Sequence, residues 1–333
     1  MIESIFTVDY EISGTGRGSL KEMVYEPARM LRETFSKRGA PLVVFVEVAE
    51  LARMEAEGTD PAIDRVKQQI RDFHSDGCEI GLHIHPQWCN AHMEKGEWRL
   101  DHEEYSLCTL PRRRIGEIVD HSIAHLRKIL EAPDFTPFSF RAGNWLFKPT
   151  RPAADVLVER GIRVDSSVFK GGVRHEHGLD YRAALKNGSY WKFSDRADVP
   201  EGKGCLLELP IYTQMVPFWR MFNSKRINRQ HLGMNAERPL GGKLYRLLDF
   251  LRLRHPLKLD YCSMTIDELI RMVDPVIRAD REDPGAFRPV VAIGHTKELA
   301  GTETVESFLH YLEDHRIRVS TLREAYGTCG FSA

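Results

Sequence analysis

The chain reads as an α/β protein built on a parallel barrel, on three observations. Short β-branched runs alternate with helical stretches along 333 residues, the order that places a parallel sheet inside and helices outside. Seven or eight such units fit this length and favour a barrel over an open sheet. Finally, polar residues recur where strands end: FTVDYE at 6–11, GLHIHPQW at 81–88, FRAGNW at 140–145, VDSSV at 164–168 and AIGHT at 292–296. A parallel barrel gathers such strand ends onto one face, where loop residues do chemistry.

The elements follow in order. An apolar run over 2–8 ends in a carboxylate, and 42–48 (LVVFVEV) has the β-branched content of a buried parallel strand. Helices are predicted over 21–38 and 63–73, the second followed by Asp76-Gly77 and a strand over 79–84. Then come helix 112–130, strand 136–141, helix 150–160, and strands 162–165 and 205–209. Helix 265–279, strand 289–293, helix 303–314 and strand 316–320 complete the series, which reads as one domain over 1–333.

One stretch breaks the rhythm. Residues 218–258 hold ten Lys or Arg against Glu237 and Asp249, as a basic insertion would. Within 240–254, Leu244, Leu247, Leu248 and Leu251 follow helical spacing, with Lys243, Arg246 and Arg252 mostly opposite. Such a helix packs its leucines on the barrel or makes peripheral contact with an anionic membrane or lipid-linked substrate. Elsewhere the formal charge of −1 gives no ground for a nucleic-acid partner. No apolar run reaches the roughly 20 residues of a membrane span, and the start lacks a signal-peptide pattern. Six cysteines without a CxxC pair read as reduced thiols in a cytoplasmic protein.

Asp9 and Glu11 are two carboxylates one residue apart at a strand end, able to divide metal binding and base work. His83 and His85 point the same way from an extended segment, so both imidazoles can converge on one ion. His121 and His125 have helical spacing without the glutamate of a zincin and read as surface residues, as do His175 and His177. Gly14, Gly16 and Gly18 lack the lysine ending of a phosphate loop. Arg141 ends an apolar strand and needs a carboxylate partner. Asp165 precedes two serines, and His295 can donate a proton near neutral pH.

Together these strings resemble the NodB-homology polysaccharide deacetylases, carbohydrate esterase family four, from Phe6 to Thr296. The resemblance implies a distorted (β/α)7 TIM-like barrel and a metal-dependent hydrolase of non-peptide C–N bonds, removing N-acetyl groups from a sugar or polysaccharide precursor. The family's Thr-Phe-Asp-Asp appears here as Thr7-Val8-Asp9-Tyr10-Glu11, matching Asp9 to the base and leaving Glu11 or Asp9 as ligand. Its two metal histidines, normally four apart, appear at His83 and His85, with Gln87 at the usual second position. Arg-x-Pro-aromatic appears as Arg141-Ala142-Gly143-Asn144-Trp145, and Asp-x-Ser as Asp165-Ser166-Ser167. The resemblance thus implies a divalent ion, with zinc the preferred identity, held by Glu11, His83 and His85. It makes Asp9 the base oriented by Arg141, and His295 the acid held by Asp165. Trp145 and Trp88 would line the groove for an acetylated sugar or other small amide. Two alternatives stay open: an amidohydrolase-type barrel, which also uses HxH after a strand, and a carbohydrate-binding relative without activity.

Overall fold

The computed structural model describes residues 1–221 and 253–330. Its central sheet contains β1 (Ile2–Tyr10), β2 (Val43–Glu47), β3 (Glu79–Ile84), β4 (Ser139–Ala142), β5 (Val164–Asp165), β6 (Trp191–Phe193), β7 (Leu206–Glu208), β10 (Arg288–His295) and β11 (Arg318–Val319). The order is β6-β7-β5-β4-β3-β2-β1-β10, with β11 also on β1, and every neighbouring pair is parallel except β6 with β7. The sheet curls, and single bridges continue it around: Ile211 pairs with Phe169 and Val291, and Asp260 with Ile293. This is the barrel that the alternation predicts, distorted as the resemblance implies.

The α-helices among the described residues are α1 (Glu26–Ser36), α2 (Val48–Glu57), α3 (Ile63–Ser75), α4 (Arg112–Leu130), α5 (Arg151–Glu159), α6 (Ile266–Glu282), α7 (Glu303–Asp314) and α8 (Leu322–Thr328). Predicted helices over 112–130 and 303–314 coincide with α4 and α7. The helix predicted over 21–38 begins with a wider turn at Lys21–Tyr25 before α1. Periodicity missed α2, which follows β2 without a loop because the Glu47 carboxylate accepts the amide N–H groups of Ala49 and Glu50 and so caps the helix.

Strand alternation sorts the core. On β1, Phe6, Val8 and Tyr10 face the helices, and Phe6 meets Phe35, Tyr261 and Phe308 edge-on with ring centroids 5.1 to 5.7 Å apart. Ile5 faces inward with Val43, Phe45, Val164, Leu207, Leu209 and Val291, and Leu322 and Ala325 of α8 join this inner cluster. Room for Phe45 comes from Gly81, where a Cβ would stand 2.6 Å from the Phe45 ring. Continuing inward-facing positions upward from this plug brings Thr7 and Asp9, Glu47, His83 and Arg141 to one end of the barrel.

The basic stretch is rooted on two paired strands. β8 (Thr213–Pro217) and β9 (Arg254–Lys258) form an antiparallel ribbon with Thr213 opposite Lys258, so 254–258 belongs to this ribbon. The leucine-bearing helix expected within 240–254 falls almost wholly outside the described residues. None of the six cysteines forms a disulfide, and no described helix is long and apolar enough to cross a membrane.

His125 is not the free surface residue its spacing suggests: its side chain is 9% exposed and stands 3.5 Å from Glu55. Burial, assisted by Lys128 and His121 and opposed by Glu55, lowers its pKa to about 4. An unfolded histidine ionises near about 6.5, so between that value and about 4 the unfolded chain binds the proton first. Stability therefore falls as pH is lowered through this window. Urea midpoints measured from pH 7 to pH 4 are expected to show a shallower acid decline in His125→Gln than in the wild type.

Candidate active site

Arg141 stands fully buried above Phe45, with its guanidinium carbon 4.3 Å from the ring centroid. It donates to Asp9 Oδ1 at 2.5 Å, to Thr7 Oγ1 at 2.9 Å, and to Ser166 through its carbonyl at 2.9 Å and its hydroxyl at 3.2 Å. Burial by itself would raise the Asp9 pKa, but Arg141, with His83 and His295, holds this carboxyl below its ordinary range. Asp9 Oδ2 faces His295 Nε2 at 3.4 Å, and the register of β1 with β10 sets these two residues side by side.

The second carboxylate divides its oxygens. Glu11 Oε1 accepts from Lys297 Nζ at 2.7 Å, while Oε2 lies 3.4 Å from His83 Nε2 and 3.0 Å from His85 Nε2. Burial opposes ionisation of Glu11, but Lys297 and His85 outweigh it and pull the carboxyl well below its usual range. His83 Nδ1 lies 2.8 Å from the Arg141 carbonyl, which makes Nδ1 a donor and turns Nε2 toward Glu11. That buried Nε2 has no hydrogen-bond partner. One carboxylate oxygen and two imidazole nitrogens at 3.0 to 3.4 Å spacing suit an ion bound at the roughly 2.0 to 2.1 Å typical of zinc. The donor set therefore fits the divalent ion that the resemblance implies.

Glu47 belongs to the same cluster but was not singled out from the sequence, although it too ends an apolar strand. Its Oε2 accepts the His85 amide at 2.6 Å while Oε1 caps α2, so it anchors the HxH backbone. Lys297, missed as well, follows His295 by two residues. Gly143 touches the centre: a Cβ there would meet the Ile84 carbonyl at 2.6 Å and the His85 ring at 2.8 Å. This approach explains glycine where the family pattern has proline.

Two expectations are corrected. Asp165 does not hold His295: its carboxylate accepts from the Ser167 hydroxyl at 2.6 Å and shares a hydrogen bond with the buried Glu208. Asp165 pairs in register with Phe140 and Glu208, whereas the carboxylates clustered at His295 are Asp9, Glu11, Glu298 and Asp260. Glu298 Oε2 is 3.6 Å from His295 Nδ1. Trp88 is not a groove residue either, since it is 1% exposed and packed edge-on against Trp98. Trp145 does reach the site, 5.9 Å from His295 by ring centroids. Asn144 and Trp145 both have positive φ, 55° and 60°, a strained conformation that aims the indole there.

No family model matches the chain, and no curated protein matches it by sequence. Among solved structures it is similar over 98% of its length to a protein from Mycobacterium smegmatis assigned as a polysaccharide deacetylase, with TM-score 0.52, 15% identity and 89% of that chain covered. It is similar over 99% of its length to the Puue allantoinase, with TM-score 0.51, 13% identity and 92% of that chain covered. The chain thus has the polysaccharide deacetylase fold, as its motifs led us to expect.

Two measurements probe the centre. Opposed by burial but driven by Asp9 and Glu11, the His83 pKa rises to about 9. An entering ion must displace that proton, so zinc affinity from chelator competition should rise by about tenfold per pH unit between pH 6 and 8. Gly143→Ala, which pushes on His85, should weaken zinc binding by about 10- to 100-fold while leaving every donor in place.

Proposed function

From this fold and this cluster, we propose that the protein is a metal-dependent hydrolase of non-peptide amide bonds that removes the N-acetyl group of a sugar or sugar precursor. One observation carries the reading: Glu11, His83 and His85 turn three donor atoms toward one point beside a buried Asp9–Arg141 pair and His295. Metal-binding architecture, an ionised base and a second proton-carrying group are what amide hydrolysis requires.

In this mechanism Glu11, His83 and His85 hold a divalent ion, with zinc preferred for its nitrogen-rich donor set. When bound, that ion acidifies water and polarises the amide carbonyl. Asp9, kept ionised by Arg141, takes a proton from the attacking water as its oxygen bonds to the carbonyl carbon. His295 gives a proton to the amide nitrogen as the C–N bond breaks, releasing amine and acetate. Arg141 orients Asp9, and Lys297 orients Glu11 by occupying the oxygen that the histidines do not face. Six cysteines outside any disulfide suit a reducing compartment such as the cytoplasm.

The test is zinc content together with acetate release from acetamido sugars. Asp9→Asn and His295→Ala are each expected to lower kcat by about 10²- to 10⁴-fold with zinc still bound, whereas His83→Ala should lose the zinc. Wild-type rates in either of the first two variants, or undiminished zinc in the third, would remove the assigned role. Zinc-loaded protein inert toward every acetamide offered would instead support the binding-protein alternative.

A further inference from the structure

The ribbon that roots the basic stretch delivers a cation to the edge of this site. Lys258, the last residue of β9, places Nζ 3.2 Å from the ring centroid of Trp145 and 5.2 Å from that of Phe169. Arg174 approaches the same indole, its guanidinium carbon 4.9 Å from the centroid. Trp145 in turn meets His295 edge-on, so its ring separates the two cations from the proposed proton donor by one side chain.

The donors here outnumber their acceptors. Lys258 Nζ carries three N–H groups, yet among the described residues it meets aromatic faces and no carboxylate or carbonyl within bonding range. Trp145 Nε1, a donor only, is buried without a partner. A buried donor left unmatched is costly unless something else supplies the acceptor. An ammonium beside an indole N–H favours an oxyanion over a neutral hydroxyl, since charge-assisted bonds are the stronger kind.

We propose that Lys258 and Trp145 form a specificity subsite for an oxyanion on the substrate, a carboxylate or a phosphate, carried close to the scissile amide. This rests on the hydrolase reading and narrows its substrate to an acidic acetamide. Burial, with Arg174 alongside, pushes the Lys258 pKa down to about 7 against the pull of Asp260, Glu298 and Asp9. Burial is the larger cause, and a bound oxyanion beside Nζ would favour the charged form. Lys258 thereby acts as a specificity residue and takes no part in the proton transfers.

The experiment is calorimetric binding of N-acetylglucosamine, its 6-phosphate and N-acetylmuramic acid to the zinc-loaded protein, for wild type, Lys258→Met and Lys258→Arg. In the wild type at least one acidic sugar should bind about tenfold or more tighter than the neutral one, and which one does so separates phosphate from carboxylate. Lys258→Met should bring the ratio towards one, and Lys258→Arg should keep most of it. Equal affinities in the wild type, a preference that survives Lys258→Met, or no binding of any of the three would overturn the proposal. Charge-selective binding without acetate release would retire the hydrolase reading and leave the subsite standing. Acetate release without charge selectivity would do the reverse.

Discussion

A guanidinium sealed inside the barrel is the constraint on which the rest depends. Arg141 is fully buried and ties β4 to the Asp9 and Thr7 side chains of β1 and to Ser166 beyond β5, while Phe45 of β2 lies beneath it. Its backbone carbonyl also makes Nδ1 of His83 on β3 a donor. A charge removed from water at this depth is tolerated only when its hydrogen bonds are matched, and removing one member of such a pair typically costs about 3–5 kcal/mol. Asp9 is therefore bound in place before any substrate arrives, and it remains ionised because Arg141 does.

That arrangement concentrates charge. Asp9, Glu11 and Glu47 come together under the two histidines, and Glu50 lies behind them, its pKa raised well above normal by burial and then by Glu47. Arg141 and Lys297 offset part of this negative charge. A divalent ion among Glu11, His83 and His85 would offset more. The site thus follows from electrostatic balance as much as from the geometry of individual ligands.

The departures from the family pattern have physical causes. Gly143 replaces proline because His85, arriving two residues after His83, brings its ring against that backbone and leaves no space for a Cβ. The shorter histidine spacing is accommodated by an extended segment whose amide at His85 is pinned by Glu47. One residue later, positive φ at Asn144 and Trp145 swings the indole toward His295. In this chain the close histidine spacing and the glycine at 143 thus meet in one contact.

Much of this was legible in the residues alone. Alternation of strands and helices predicted the barrel, because apolar periodicity is a local property of the chain. Strand-end placement predicted that Asp9, Glu11, His83, His85, Arg141 and His295 would meet, because side chains two apart on a strand share a face. What the sequence could not decide were the partnerships across the barrel mouth. Asp165 pairs with Glu208 and leaves His295 to Asp9, Glu11, Glu298 and Asp260, since sheet order and register set which carboxylates are neighbours. Trp88 is packed inside and Trp145 is turned to the site, though both follow motif residues. Lys258 enters by way of a ribbon whose partner strand lies across the basic stretch. Local pattern determined which residues reach the end of the barrel; only tertiary packing decided which of them touch.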